Sequence, residues 1–340
     1  MLTKHPLVSI CIPAYNRPHE LVRLLSSIDV SDTDKIEIII CEDKSPNRDV
    51  IRQEVALFVS KTQYKIYYFE NDKNLGYDKN LREVISKSNG FFILFMGDDD
   101  IFVPTALDML MPFLEDNLDI GYMLKSHQFI RKDGEIVPFR YFSENKYFQP
   151  SELTLVQLFR KSIFISGFTI RRELVKDLTT DRFDGKLVFQ LYLLGEVALN
   201  YKCAYFDIPL TQAYDEGTPF FGMSDAEKGL FTPGCITANG TLNLLKGLFE
   251  ITSYLDQKYN INATPKVKRD ISKYFYPYLA QQRANGISEM ISFMRQATRI
   301  GLNVSINYYL YAIALILFGK MTCDSIILHL KKGLGKTPEL

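Results

Sequence analysis

The chain has 340 residues, 46% of them hydrophobic and 24% charged, a balance that builds a globular core and excludes a disordered chain. Its 40 Lys and Arg match 40 Asp and Glu, so the formal net charge is zero and a bulk nucleic-acid binder is excluded. The balance is uneven: Ile261 to Leu340 holds 11 Lys/Arg against 4 Asp/Glu, a basic tail on a mildly acidic body.

In chain order, the apolar run Leu7 to Ile12 predicts a buried strand stopped by Pro13. Leu21, Leu24, Leu25 and Ile28 then recur at helical spacing, with Asn16 and Pro18 as cap and first-turn signals. Ile36 to Cys41 predicts a second strand, followed by a helix through Ile51, Val55, Phe58 and Val59. Lys65 to Glu70 is a third strand, with a helix through Leu81, Val84 and Ile85 behind it. The run from Phe91 to Met96 is a fourth, and Pro104 opens a helix through Leu107, Leu110, Met111 and Leu114. Strand and helix thus alternate four times, which implies a mostly parallel sheet flanked by helices.

In such sheets ligands bind beyond the carboxyl ends of the strands. The four polar clusters PAYNR, EDKSPN, NDKNLGYDKN and GDDD each follow a strand, so four polar loops converge on one rim. Asp98, Asp99 and Asp100 are consecutive like charges at the end of an apolar run, and something positive must offset their repulsion. Adjacent carboxylates there suit a hard divalent cation, Mg²⁺ or Mn²⁺, which prefers oxygen ligands and leaves positions open to a diphosphate.

Beyond Gly121 the pattern loosens. Gly121 to Phe142 predicts a strand pair turning at Lys132-Asp133-Gly134, Ser151 to Val175 mixes helix and loop, and Asp184 to Leu199 carries a helical stripe. The segment from Lys202 to Ser224 predicts a strand and then a Gly/Pro-rich loop with Tyr214, Phe220 and Phe221, a lid over a donor or a surface loop pinned to the core. Past Leu230 the chain is helical. The organisation expected is a catalytic domain over 1–230, divided at 115/116 into nucleotide-binding and acceptor halves, and a helical region over 231–340.

The segments VSICIPAYNRPHELVRLLSSI, IEIIICEDKSPN and NLGYDKNLREVISKSNGFFILFMGDDD with the following proline resemble family 2 glycosyltransferases of the GT-A fold. SGFTIRREL resembles a further segment of that family. Within it the resemblance is to bacterial surface-polysaccharide enzymes, including the abequosyltransferase-like group. The resemblance implies a nucleotide-diphosphate sugar donor and a glycan or lipid-linked oligosaccharide acceptor. It implies that Pro13, Ala14, Tyr15, Asn16 and Arg17 lie along the nucleoside, and that Asp43 accepts from the base beside Glu42 or Ser45. Asn74, Gly76, Asp78 and Lys79 would flank base and ribose, with Lys79 a cation near the phosphates. Asp98 would meet ribose, and Asp98, Asp99 and Asp100 would supply the metal ligands.

Two departures from the family stand out. Gly97 occupies the place of a first aspartate, and no ED pair follows the RRE segment. Inverting members use such a carboxylate to deprotonate the acceptor hydroxyl. Asp184 is the first candidate here and Asp181 the second, each alternatively a cap of the helix expected near Gly185; Asp215 and Glu216 are the fallback. A catalytically inactive sugar-nucleotide-binding protein and a sugar nucleotidyltransferase are the rival readings. The second wants a Gly-rich basic loop after the first strand, which PAYNRPHE lacks.

No GxGxxG or GxxxxGK[ST] is present, the four histidines are dispersed, and the five cysteines form no CxxC pair, as reduced thiols inside a cell would. The N-terminal apolar stretch is too short for a signal peptide. The uninterrupted apolar run Tyr308 to Phe318 is 11 residues long, short of a membrane span, and fits an interfacial helix, a core lid or a dimer contact. The expected location is cytoplasmic, free or on the inner face of the membrane.

Overall fold

The computed structural model of the chain describes residues 5–214 and 217–334, with 330–334 by backbone alone. Its first half is β1 (Val8–Ala14), α1 (Pro18–Ser26), β2 (Ile36–Glu42), α2 (Arg48–Val59), β3 (Ile66–Glu70), α3 (Tyr77–Lys87), β4 (Phe92–Phe95), the short β5 (Ile101–Phe102) and α4 (Ala106–Glu115). Strands β3, β2, β1 and β4 lie side by side and parallel. Every residue of β2 is buried, so its apolar residues Ile38 to Cys41 run on rather than alternate, with Glu37 and Glu42 buried beside them. The strand order reverses direction between β1 and β4, and a crevice opens at such a point.

The second half is β6 (Tyr122–Ile130), β7 (Ile136–Phe139), β8 (Lys146–Phe148), α5 (Glu152–Phe159), β9 (Phe168–Arg171), α6 (Phe189–Asn200) and β10 (Cys203–Tyr214). The sheet continues from β4 through β9, β6 and β10 to β5, with β7 on β6 and β8 on β10. Strand β9, which falls in the stretch read as helix and loop, runs antiparallel to β4 and β6 and joins the two halves. The β6–β7 hairpin turns at Gly134, whose φ of +82° suits glycine.

Three local expectations are corrected. Pro13 does not stop β1 but lies inside it, opposite Cys41 of β2. The Cys11 carbonyl accepts from Met96 N on the β4 side, so by alternation Pro13 faces that side too, one step past the end of β4, where no ladder donor is required. Asn16 does not cap α1; it stands at φ +61°, and Arg17 precedes the helix without a side-chain cap bond. Helix α6 begins at Phe189, not near Gly185.

One apolar core holds α1, α2 and α4 against one face of the sheet, with Leu21, Leu24, Ile51, Val55, Leu107 and Leu110 fully or nearly buried. The other face packs α3, α5 and α6 in a cluster continuous with the C-terminal helices. Those helices are α7 (Ala238–Tyr259), α8 (Thr264–Lys273), α9 (Tyr276–Ala284), α10 (Ile287–Arg299) and α11 (Ile306–Leu334). Helix α11 corrects a further expectation. Continuing past Phe318, it presents 24 residues, Ile306–His329, of mean hydropathy 1.6, long and apolar enough to cross a membrane by length and composition. It is broken at Gly319, whose φ of 74° and ψ of 170° are not helical.

Candidate active site

The turns after β1, β2, β3 and β4 surround a cleft of about 260 Å³ at the crevice. Pro13, Tyr15, Arg17, Asp43, Asn74, Gly76, Asp98 and Asp99 of the expected set line it. Ala14, Asn16, Glu42, Ser45, Asp78, Lys79 and Asp100 do not.

The offsetting charge on the triplet is Arg17. Its Nη1 lies 2.8 Å from Asp98 Oδ1 and its Nη2 3.0 Å from Asp99 Oδ2, a fork across two neighbouring carboxylates. Asp98 Oδ2 also accepts Tyr15 N at 2.8 Å, tying the β1 turn to the β4 turn. Burial pushes the Asp98 carboxyl up to about 6, with Arg17 pulling it down and Asp99 pushing it up. The Asp99 carbonyl accepts Arg23 Nη2 at 2.7 Å, and its side chain, 32% exposed, is the one carboxylate of the three that opens to solvent.

Asp100 points elsewhere. It is buried and bonded to Ser166 Oγ, which also accepts Gly97 N at 3.0 Å. Burial and then Asp99 push the Asp100 carboxyl up to about 7, while Ser166 and Lys125 act against that. Lys125, buried on β6, is pushed down to about 7 by its burial, with Asp100 opposing. The triplet is therefore not arranged as a three-carboxylate ligand set, and no three His, Cys, Asp or Glu groups among the described residues form a metal-binding cluster. A cation that takes one protein carboxylate and fills its shell from phosphate and water fits here, with Asp99 as ligand. Gly97 is explained locally: a Cβ there would stand 3.1 Å from Ser166 Oγ and 3.2 Å from Asp99 Oδ1, tighter than ordinary contact.

Asp43 joins the other two turns. Its Oδ1 accepts Asn71 Nδ2 and Leu75 N, both at 2.8 Å, and its Oδ2 accepts Gly76 N at 2.9 Å. A carboxylate has about four acceptor positions, so one remains for a ligand in the cleft. Burial pushes the Asp43 carboxyl up to about 6, with these hydrogen bonds acting against it. Neighbouring Glu42 is spent on the fold: fully buried, it accepts Lys44 N and Ser45 N and pairs with Arg48.

Asp78 is likewise structural. Its two oxygens accept the backbone N–H groups of Lys186, Leu187, Val188 and Phe189 at 2.8–2.9 Å, capping α6 from α3. Asp184 neither caps α6 nor faces the cleft. It forms a two-pronged pair with Arg82 of α3 at 2.6 and 2.7 Å, outside the cleft lining. Asp181 is exposed and also outside the cleft. Asp215 and Glu216 lie outside the described residues. Their chain neighbours stand at the triplet: Tyr214 stacks on Arg23 at 3.9 Å, and a Cβ on Gly217 would lie 3.3 Å from Asp99 Oδ2.

The cleft is covered by the loop after β10. Arg17 Nη2 donates to the Thr218 carbonyl at 2.6 Å, Phe220 meets Tyr15 edge-on, and Phe221 meets Tyr77 likewise. Glu227, which the sequence does not single out, is the clasp. Buried at the cleft, it accepts Tyr77 N at 2.7 Å and Gly222 N at 2.9 Å. Gly76 makes room for this loop, since a Cβ there would be 2.4 Å from Ser224 Oγ and 2.8 Å from Glu227 Oε1. Tyr77, Asn80, Ile165, Pro219 and Ile236 complete the lining. Tyr77 and Asn80 stand within NLGYDKN, while Ile165 and Ile236 carry no motif signal and reach the cleft only in the fold.

Comparison with known proteins follows the same ground. Residues 9–179, half of the chain, match glycosyl transferase family 2. The chain belongs to that family. It is 32% identical over 114 residues to the abequosyltransferase RfbV of Salmonella typhimurium, a stretch covering 34% of each protein. It is 26% identical over 154 residues to an Escherichia coli enzyme, WfgD, named as a UDP-Glc:alpha-D-GlcNAc-diphosphoundecaprenol beta-1,3-glucosyltransferase, covering 45% of this chain and 55% of that one. The matches thus span from about a third to about half the length of these relatives. Residues 1–349 of Staphylococcus aureus TarS, solved in complex with UDP-GlcNAc, superpose over 90% of both chains with a TM-score of 0.51 at 13% identity. That likeness is one of fold, and the fold is GT-A.

Proposed function

We propose that this family 2 glycosyltransferase binds a nucleotide-diphosphate sugar in the rim cleft and transfers the sugar, with inversion, to a hydroxyl of a glycan or lipid-linked oligosaccharide in surface-polysaccharide synthesis. The observation that carries the donor site is the convergence of all four strand-end turns, with Asp43 keeping a free acceptor position and Asp99 open beside Arg17. Asp43 takes an N–H of the base, Tyr15 and Phe220 bound the nucleoside, and Arg17 turns from the carboxylates to the diphosphate. Mn²⁺ or Mg²⁺, when bound, is held by Asp99 and supplies positive charge to the leaving diphosphate. WfgD, by its name, supports a sugar acceptor carried on a diphospholipid.

At 260 Å³ the covered cleft is smaller than the roughly 300–1,000 Å³ of small-molecule sites, so the loop from Gly217 to Ile236 lifts to admit the donor and closes to exclude water. The acceptor oxygen then bonds to the anomeric carbon as the bond to the diphosphate oxygen breaks. The acceptor proton passes to a carboxylate, for which Asp215 or Glu216 is the candidate, because Asp184 is held by Arg82. Arg17 takes the place assigned to Lys79, which does not line the cleft.

A thermal-shift panel of UDP, GDP, CDP and dTDP, each with and without Mn²⁺, tests the donor site, since a ligand that binds the native state raises its apparent stability. One diphosphate that stabilises the chain, more with Mn²⁺, supports it; none doing so refutes it. Donor hydrolysis separates the enzyme from an inactive binder, and pyrophosphate release from a nucleoside triphosphate would mark a nucleotidyltransferase.

A further inference from the structure

Helix α11 carries apolar side chains on two opposite faces, and the fold uses one. Tyr308, Ala312, Leu315 and Cys323 are buried in the core. On the outer side Ile306, Leu310, Ile313, Leu317 and Met321 recur at three- and four-residue spacing, between 53% and 87% exposed, with Tyr309 and Phe318 beside them. Scattered exposed apolar residues are ordinary, but a continuous stripe on one helix marks a contact surface.

Length and charge say what the surface meets. From Ile306 to Phe318 the straight segment is roughly 18 Å long, well short of the ~30 Å hydrocarbon core. Gly319 then breaks the axis. Cations stand beside the helix and at its break. Lys273 accepts Tyr311 OH on its carbonyl, Arg283 donates to the Leu315 carbonyl and approaches Gly319, and Lys320 follows the break. Asp324, the one carboxylate among residues 306–334, is paired with Lys320. Residues 261–340 as a whole carry 11 Lys/Arg against 4 Asp/Glu, an excess that an anionic surface complements.

We propose that the outer face of α11 docks on an anionic lipid bilayer, with the helix in the membrane plane, the stripe in the acyl boundary and Lys273, Arg283 and Lys320 among the headgroups. This stands independently of the donor reading.

The chain has no tryptophan, so Phe318→Trp introduces a single indole, and Tyr67→Trp, on the edge strand β3, serves as the control. With the full chain, flotation with phosphatidylcholine/phosphatidylglycerol vesicles but not with phosphatidylcholine alone is expected. So is release by alkaline carbonate. On adding the mixed vesicles, the indole fluorescence of the Phe318→Trp variant should shift to the blue and that of the Tyr67→Trp variant should not. Leu310→Glu with Leu317→Glu, both at exposed positions, lowers vesicle affinity by roughly tenfold or more at unchanged Tm. Absence of flotation, equal binding to both vesicles, retention through carbonate, or a blue shift that follows protein concentration without lipid would each overturn the proposal. The last would mark a second copy on the stripe instead.

Discussion

Two sides of the start of α3 use the same residue type for opposite purposes. At the cleft, Asp43 and Asp98 hold backbone N–H groups yet keep an edge toward the open space, and Asp99 stays accessible. On the far side, Asp78 gives both oxygens to four amides, leaving nothing for a ligand, and Asp184 is paired at both oxygens with Arg82, away from the cleft. The difference lies in saturation: a carboxylate whose acceptor positions are filled by the fold is structure, and one with a position to spare can be chemistry.

The largest effect should come from the saturated side. Asp78→Ala leaves four buried N–H groups at the start of α6 without an acceptor, and a loss of about 4 kcal/mol in denaturant unfolding is expected. Retention of full stability would break the distinction. Next is the open side: Asp99→Ala should lower sugar-transfer kcat/KM by about 100-fold, about 2.7 kcal/mol, while Tm moves little, because Asp99 is partly exposed.

The third prediction concerns pH. The folded-state carboxyl of Asp100 titrates at about 7, above its ordinary 3.8, so the native state binds the extra proton between these values. Stability from this group is therefore full below pH 4 and falls as pH rises toward 7. Asp100→Asn removes the effect, and the loss of unfolding free energy between pH 5 and 8 should shrink by about 2 kcal/mol. An unchanged pH profile would place Asp100 in a wetter setting than the structure does. Smallest is the clasp: Glu227→Gln, which weakens the bonds to Tyr77 N and Gly222 N, should raise donor KM about tenfold, roughly 1.4 kcal/mol, and increase donor hydrolysis relative to transfer.

The same contrast explains what the sequence could reveal. The β–α alternation and the four polar loops are local patterns, so the parallel sheet and the rim could be read from them. Saturation is not local. Asp78 sits inside the motif NLGYDKN, but the amides it serves are more than a hundred residues away, at Lys186 to Phe189. Asp184 matched the position expected of a base, and its partner Arg82 is brought in by α3. Arg17 was visible in PAYNR, though its fork onto Asp98 and Asp99 appears only once β1 and β4 are neighbours. Glu227 lies in a loop without a pattern and gains its role from contact with Tyr77 and Gly222. Strand β9 was hidden because its four residues, Phe168–Arg171, are too few to show a period.

Calorimetric titration of the stabilising nucleoside diphosphate into the full chain, with and without Mn²⁺ and repeated on Asp99→Ala, tests the donor cleft most directly. The account predicts one site whose affinity rises with Mn²⁺ in the wild-type chain, with that rise lost in the variant. Binding that ignores both the cation and the substitution, or no binding at all, would contradict it.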